Sequence, residues 1–128
     1  MSKIALTDAE WKVMEVLWTR SPATARDVHD ALAPETAWAY TTVKTLLDRL
    51  EEKGAVAAEM RRNAAHYLPT VTRDEGRRGA LRALLDKAFG GAVAPLVHHL
   101  LREETLSRKD REELARLLKE PAKKESAR

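Results

Sequence analysis

The sequence predicts a mainly α-helical protein with one small β-hairpin. Ala, Leu, Arg and Glu dominate its 128 residues and aromatic residues make up only 5%, a composition that favours helices over an all-β architecture. Apolar residues recur at helical spacing in six segments, whereas only two short runs have the character of strands. A chain of this length has room for one domain or two very small ones.

Several classes of protein are excluded by what the sequence lacks. It contains no cysteine, so it cannot form disulfides, thiolate zinc sites or a cysteine nucleophile, and it fits a reducing compartment. Its first six residues are too short and too mixed for a signal peptide, and no apolar run has the length of a membrane span. An HExxH motif and a glycine-rich phosphate loop are also missing. We therefore expect a cytoplasmic protein that is not an enzyme and that binds no cofactor or metal.

The formal charge of +3 does not by itself indicate a polyanionic partner. Residues 1–71 carry nine Lys and Arg against ten Asp and Glu, whereas residues 72–128 carry fourteen against ten. The basic excess therefore lies in the second half of the chain.

Two capping boxes predict the first two helices. Thr7, with Glu three residues later, precedes a helix expected over residues 8–20, and Thr24, with Asp three residues later, precedes a second that is expected to end at Pro34. The residues expected to face inward are Trp11, Met14, Leu17, Trp18, Val28, Ala31 and Leu32.

The third helix is amphipathic and is expected from Tyr40 to Lys53, before the stop signal of Gly54. Its apolar positions are Val43, Leu46, Leu47 and Leu50. The opposite face is polar but lightly charged, with Thr41, Lys44, Thr45 and Asp48, and with Thr42 and Arg49 at its flanks.

A β-hairpin is expected after the third helix, with strands over residues 56–60 and 66–68, a turn over 61–65 and an end at Pro69. Three helices followed by a hairpin is the order of a winged helix-turn-helix. We assign residues 1–71 to this domain.

Three further helices are predicted in residues 72–120, and residues 121–128 are expected to form a charged tail. A unit of about fifty residues with wide leucine stripes is marginal alone, so we expect it to pair with a second copy in a homodimer. The residues expected to form the dimer core are Leu81, Leu84, Leu85, Phe89, Val93, Leu96, Val97, Leu100, Leu101, Leu114, Leu117 and Leu118.

Two motifs carry a family resemblance. They read Leu6-Thr7-x-Ala9-Glu10-x-x-Val13-Met14-x-x-Leu17-Trp18 and Ala39-Tyr40-Thr41-Thr42-Val43-Lys44-Thr45-Leu46-Leu47-x-Arg49-Leu50-x-x-Lys53-Gly54. With the Tyr67-x-Pro69 of the hairpin and the leucine-rich helices, the sequence resembles the penicillinase repressor (BlaI/MecI) family over roughly residues 4 to 118. The combination is fairly specific.

The resemblance implies a dimeric bacterial repressor that binds a dyad-symmetric operator upstream of antibiotic resistance or stress genes, often through TACA/TGTA half-sites. Family members commonly have a basic residue at the position of Thr41 and Arg at that of Lys44, so the operator of this chain is left open. In β-lactam-responsive members a membrane sensor pathway leads to cleavage in the penultimate helix. That bond, commonly Asn-Phe, aligns with His99-Leu100 here. Copper-responsive relatives use a cysteine cluster that this chain lacks.

The polar face of the third helix suits DNA reading, because short polar side chains near the helix N-terminus let the backbone approach the groove floor. Thr side chains can contact thymine methyls and phosphates, and Lys44 can reach a guanine edge or a phosphate. The hairpin can contact the DNA backbone or the minor groove. The expected DNA-binding residues are Tyr40, Thr41, Thr42, Lys44, Thr45, Arg49, Arg61, Arg62 and Asn63.

Other interpretations of these features stay open. The near-neutral N-terminal half favours a rival function, a winged-helix module that binds protein and not specific DNA. His99 and Glu103 lie four residues apart beside His98, but two ligands do not make a metal site, and the outer face of a helix explains them as well. The three tryptophans are expected in or beside the core and not as base-stacking residues.

Overall fold

The computed structural model describes residues 4–103 and 106–119, so the predicted charged tail at 121–128 lies outside the described residues. The elements follow the predicted order, with one additional short strand. They are α1 (Asp8–Thr19), β1 (Ala23–Thr24), α2 (Ala25–Thr36), α3 (Tyr40–Lys53), β2 (Val56–Arg61), β3 (Ala64–Pro69), α4 (Arg73–Ala88), α5 (Val93–Glu103) and α6 (Arg108–Lys119). The mainly α-helical class is confirmed. None of the helices in the described residues combines the length and the apolar character that crossing a membrane requires.

The two predicted capping boxes are present. The Thr7 hydroxyl accepts from the Glu10 N–H at 3.1 Å and the Glu10 carboxylate accepts from the Thr7 N–H at 2.9 Å. Thr24 and Asp27 repeat the arrangement at 3.1 and 3.0 Å. Each box satisfies amides that the first turn of a helix leaves without partners, so α1 and α2 begin where the sequence predicts.

The prediction that the second helix ends at Pro34 is wrong, because α2 continues to Thr36 with Pro34 inside it. Pro34 removes one backbone hydrogen bond, and the last turn is held by Thr36, whose hydroxyl donates to the Leu32 carbonyl at 3.0 Å. The helix then stops at Ala37, which adopts the left-handed conformation with φ of 55°. Ala31, predicted to face inward, is exposed.

The core lies where the first three helices and the sheet meet. The apolar stripe of α3 is buried, and it packs with buried residues of α1 and α2. Trp18 and Trp38 pack against this core as partly buried residues, while Trp11 contacts Trp18 edge-on with ring centroids 5.3 Å apart. The buried helical residues of this core are Val13, Met14, Leu17, Ala25, Val28, Leu32, Val43, Leu46, Leu47 and Leu50.

The sheet is antiparallel, in the order β1-β3-β2. The predicted five-residue turn at 61–65 is wrong: Arg61 pairs with Ala64, and only Arg62 and Asn63 form the loop. Both loop residues have positive φ, 51° and 67°, as a two-residue type I′ turn requires. Such a turn matches the twist of the flanking strands, so Ala64 and Ala65 can join β3. The two-residue strand β1, which pairs with β3, was not predicted.

The chain divides into two compact units between Leu84 and Leu85, inside α4. The beginning of α4 packs within the first unit, because a Cβ at Gly76 would lie 2.9 Å from the Trp18 ring. Arg73 adds an ion pair to Glu15 at 2.9 Å. The functional boundary predicted at residue 72 stays a prediction, since packing alone does not test it.

Glu10 is the one buried charged residue among the residues that the structure describes, with 1% of its surface exposed. Its carboxylate forms an ion pair with Lys53 at the end of α3, and Lys53 also donates to the Ala5 carbonyl at 2.8 Å. Burial raises the pKa of Glu10, but the hydrogen bonds from Lys53 and Thr7 and the positive charge of Lys53 outweigh it, so the pKa lies below its ordinary value of 4.5. The ionised carboxylate therefore ties α1 to the end of α3.

Glu10→Gln keeps the size of the side chain and an acceptor for the Thr7 N–H but removes the charge opposite Lys53. We expect the free energy of unfolding to fall by about 1–2 kcal/mol at neutral pH. Because the folded-state pKa is lowered, this stabilisation is complete above 4.5 and is lost as the pH falls through the lower folded-state value. Urea unfolding at neutral pH and at about pH 3 measures the difference, which should shrink in acid.

The matched control for this prediction is Glu51→Gln, which removes an exposed carboxylate of α3 and should leave stability nearly unchanged. A loss for Glu10→Gln that is equally large in acid would contradict the role of the ionised carboxylate.

Candidate nucleic-acid interface

The outer face of α3 is exposed because the inner face is fully used by the core. Val43, Leu46, Leu47 and Leu50 are buried. At helical periodicity this leaves the predicted polar positions pointing away from the core, and the structure places Thr41, Thr42, Thr45, Asp48 and Arg49 among the exposed residues.

The N-terminus of α3 is open to an anion. Its N-cap is Ala39, which provides no side-chain hydrogen bond to the first amides, and no acidic residue lies in the first turn. The other two helices of the winged fold begin with a capping box that contains a carboxylate. The positive end of the helix dipole is therefore neutralised at α1 and α2 but not at α3.

Three of the predicted DNA-binding residues, two from α3 and one from the hairpin, line one cleft. Tyr40 and Lys44 of α3 and Asn63 of the hairpin line a cavity of about 340 Å³ between α2, α3 and the hairpin. Two residues that the sequence analysis did not select, Arg26 and Tyr67, line the same cleft. The exposed side chains of Arg49, Arg61 and Arg62 are not part of the cleft lining.

Two residues of α2 contact the ring of Tyr40. The guanidinium of Arg26 lies 5.1 Å from the centre of the Tyr40 ring, and the His29 ring contacts it edge-on at 6.2 Å. His29 Nε2 lies 3.0 Å from the Trp38 carbonyl, which can only accept, so Nε2 carries the proton and donates. His29 thus connects the turn before α3 to α2, and Arg26 is brought beside the start of α3.

Lys44 is directed towards the hairpin. Its ammonium donates to the Tyr67 hydroxyl at 3.3 Å and lies 3.9 Å from the Asp48 carboxylate one turn further along α3. The hydrogen bond with Tyr67 is the largest cause of a pKa of Lys44 that lies above its ordinary value of 10.5, so the ammonium stays charged. Lys44 remains about two-fifths exposed, which leaves donors available to a ligand.

Three acidic residues of the first unit pair with cations that are not among the predicted DNA-binding residues. Glu10 and Glu35 pair with Lys53 and Lys12, and Glu15 pairs with Arg73. On the hairpin, Arg61 pairs with Glu59 at 2.9 Å, whereas Arg49 and Arg62 form no ion pair with the acids that the structure describes. A near-neutral total charge therefore coexists with unneutralised cations on the α3 and hairpin surface.

The two residues that the sequence analysis missed had only weak signals. Arg26 lies in the first turn of α2, two residues after Thr24, a position near the third helix in any helix-turn-helix. Tyr67 was noted only as part of the resemblance. An aromatic residue in a short strand is usually a core residue, so its position did not predict a contact with a lysine. The cleft can be recognised only in the tertiary structure, because its lining comes from β1, α2, α3 and the hairpin.

Among the residues that the structure describes, no group of three or more His, Cys, Asp or Glu is placed to hold a metal ion. The rings of His98 and His99 contact each other edge-on at 5.9 Å, and His99 lies against Phe89 at 5.9 Å. The side chain of Glu103 lies outside the described residues.

Comparison with known protein families identifies the family of this chain. A family model described as the penicillinase repressor matches residues 6–120, which is most of the sequence. The chain belongs to the penicillinase repressor family. The resemblance inferred from the two sequence motifs is thereby confirmed.

Two named regulators are similar in sequence to this chain. The transcriptional regulator BlaI of Mycobacterium tuberculosis is 42% identical over 107 residues, which cover 80% of this chain and 77% of that protein. The methicillin resistance regulatory protein MecI of Staphylococcus aureus is 26% identical over 113 residues, which cover 88% and 92% of the two chains.

A solved structure of the penicillinase repressor family confirms the fold of the first half. It is the solution structure of the Bacillus licheniformis BlaI monomeric form in complex with the blaP half-operator. That structure is 28% identical, covers 58% of this chain and 90% of its own, and superposes with a TM-score of 0.51. The predicted winged helix-turn-helix is therefore confirmed.

Proposed function

We propose that this member of the penicillinase repressor family is a DNA-binding transcriptional repressor that acts as a homodimer on a dyad-symmetric operator and has no enzymatic activity. The observation that carries the proposal is the exposed, hydroxyl-bearing face of α3 beside the hairpin, in a fold similar to that of a BlaI bound to its half-operator. Repression follows when the bound dimer occludes a promoter.

In this proposal α3 enters the major groove. Thr41, Thr42 and Thr45 present short side chains to base edges and thymine methyls, and Lys44 and Tyr40 extend the contact towards the hairpin. Arg49 lies at the flank, where it reaches phosphate. The N-terminus of α3 supports a close approach to the DNA backbone, because it has neither a side-chain cap nor an acidic residue and its helix dipole favours negative charge.

The hairpin supplies positioning contacts. Arg62 and Asn63 form its two-residue tip, and Arg61 lies at the adjoining strand end, so these side chains are presented together at the edge of the sheet. Such contacts to phosphates raise affinity for any sequence and weaken with salt. Arg26 joins the proposed interface because it lies beside Tyr40.

The homodimer is supported by exposed apolar side chains on the last three helices. Val93 is 56% exposed, Leu117 49% and Leu118 82%, although each belongs to an apolar helical stripe. Among the expected dimer residues, Leu85 is buried within the chain and Phe89, Leu96 and Leu114 are partly buried. A symmetric pairing removes the remaining apolar surface from water and holds two α3 helices for two half-sites.

A regulatory protease of a membrane sensor pathway remains an expectation from the family. The aligned bond, between His99 and Leu100, lies inside α5, and both residues are exposed. Cleavage there requires α5 to open locally, because its helical hydrogen bonds hold the backbone in a closed conformation. Such a cut would damage the apolar stripe that supports the dimer.

A fluorescence titration tests the proposal against its rival. The probes are the DNA upstream of the gene that encodes this chain and a scrambled duplex of the same length. We expect tight binding to the upstream DNA, with affinity that falls steeply with salt, and binding to the scrambled duplex that is at least about 1,000-fold weaker. Equal affinity for both duplexes, insensitive to salt, would favour the protein-binding winged-helix module.

Substitution on α3 should weaken operator binding without unfolding the protein. Thr45→Ala or Lys44→Ala is expected to cost about 1–3 kcal/mol in operator binding, because each removes a contact to a base edge or phosphate. Lys12→Ala, which removes an exposed lysine of α1 outside this surface, is the matched control and should leave binding unchanged. Wild-type affinity in both α3 variants would refute the assignment of this face.

A charge in the apolar stripe of α5 should separate the dimer. Leu96→Glu or Leu100→Glu would place a carboxylate in the shared core, where it has no partner, so we expect monomers in analytical ultracentrifugation and weaker operator binding. His98→Glu places the same charge on the opposite face of α5 and serves as the control. A monomer that still binds the operator as tightly as wild type would contradict the dimeric mechanism.

A further inference from the structure

The hydroxyl of Tyr67 makes one of the contacts between the hairpin and α3. Tyr67 lies on β3, the central strand, where it pairs with Ala23 of β1 and with Ala58 of β2. Only 2% of the residue is exposed, so strand pairing and packing fix its ring. Its hydroxyl is nevertheless within 3.3 Å of the Lys44 ammonium.

This contact restricts a side chain that is otherwise mobile. A lysine side chain has four rotatable bonds, and fixing it in one conformation costs rotamer entropy. Tyr67 holds Lys44 before any ligand arrives, and Asp48 at 3.9 Å limits its movement from the other side. A lysine that contacts phosphate needs no such restraint, because phosphates offer charge in many directions, whereas a base edge must be met in one geometry.

We propose that Tyr67 is a specificity-determining positioning residue, which holds the Lys44 ammonium at the junction of α3 and the hairpin so that it meets a base edge and not a phosphate. The inference rests on the proposed repressor function and deepens it. Tyr67 acts through Lys44 and needs no contact with DNA of its own. The Lys44 ammonium donates one hydrogen to Tyr67 and keeps two for a guanine edge, whose O6 and N7 atoms are acceptors.

The test combines Tyr67→Phe, Lys44→Met and the double variant. Phenylalanine keeps the ring in the sheet and removes only the hydroxyl, and methionine keeps much of the lysine stem without the charge. The probes are the operator duplex that wild-type protein selects from duplexes of random sequence, and a scrambled duplex. Thermal unfolding of each variant confirms that it is folded.

We expect Tyr67→Phe to weaken binding to the selected duplex about 3- to 10-fold, the range of one hydrogen bond of modest net strength. Binding to the scrambled duplex and the salt dependence of affinity should stay unchanged, because no phosphate contact is lost. In the Lys44→Met background, Tyr67→Phe should have no further effect. A purely structural role of Tyr67 would not produce this pattern.

Three results would overturn the proposal: wild-type affinity for Tyr67→Phe, an equal loss on both duplexes, or an undiminished loss in the Lys44→Met background. A second measurement needs no variant. In nuclear Overhauser spectra of the free wild-type protein, the ε-methylene of Lys44 should contact the Tyr67 ring, and absence of that contact also overturns the role. Failure of wild-type protein to select any sequence would instead contradict the proposed repressor function, and this role with it.

Discussion

The burial of one face of α3 is the constraint on which the rest of the candidate interface depends. Leu47 and Leu50 are fully buried between the other helices and the sheet, so α3 cannot rotate without exposing leucine to water. That fixes the rotational setting of the helix, and with it the outward direction of its threonines. The ion pair between Glu10 and Lys53 anchors the far end of the same helix.

The hairpin is coupled to α3 through the sheet and not only through the chain. β3 lies between β1 and β2, so the two residues before α2 and the hairpin belong to one hydrogen-bonded sheet. Tyr67 projects from this central strand to Lys44, and Arg26 reaches Tyr40 from α2. Two elements, α2 and β3, therefore converge on the first turns of α3, which is where a helix in the major groove makes its contacts.

The distribution of charge explains how residues 1–71, whose net charge is near zero, can bind a polyanion. Ion pairs such as Lys12–Glu35 and Lys53–Glu10 place cations and acids together away from the α3 face. Arg49 and Arg62 have no acidic partner among the described residues. What matters for a DNA-binding surface is the local distribution of charge, since fields from solvent-exposed charges are screened beyond about 10 Å at moderate salt.

The sequence by itself determined the elements that depend on local rules. Thr7 and Thr24 begin helices because a hydroxyl and a carboxylate three residues apart satisfy the free amides, and the spacing of Val43, Leu46, Leu47 and Leu50 defines the buried side of α3. Motifs of the same segments indicated the penicillinase repressor family, which the family model confirmed.

Only the tertiary structure decided features that depend on distant residues. Pro34 stays helical because Thr36 and the following turn hold the end of α2, and Ala64 and Ala65 join a strand because pairing with β2 outweighs their weak strand preference. Arg26 and Tyr67 enter the candidate site because folding brings α2 and β3 against α3. Local periodicity determines which side of a helix is apolar, but long-range packing determines which residues of other elements lie beside its polar side.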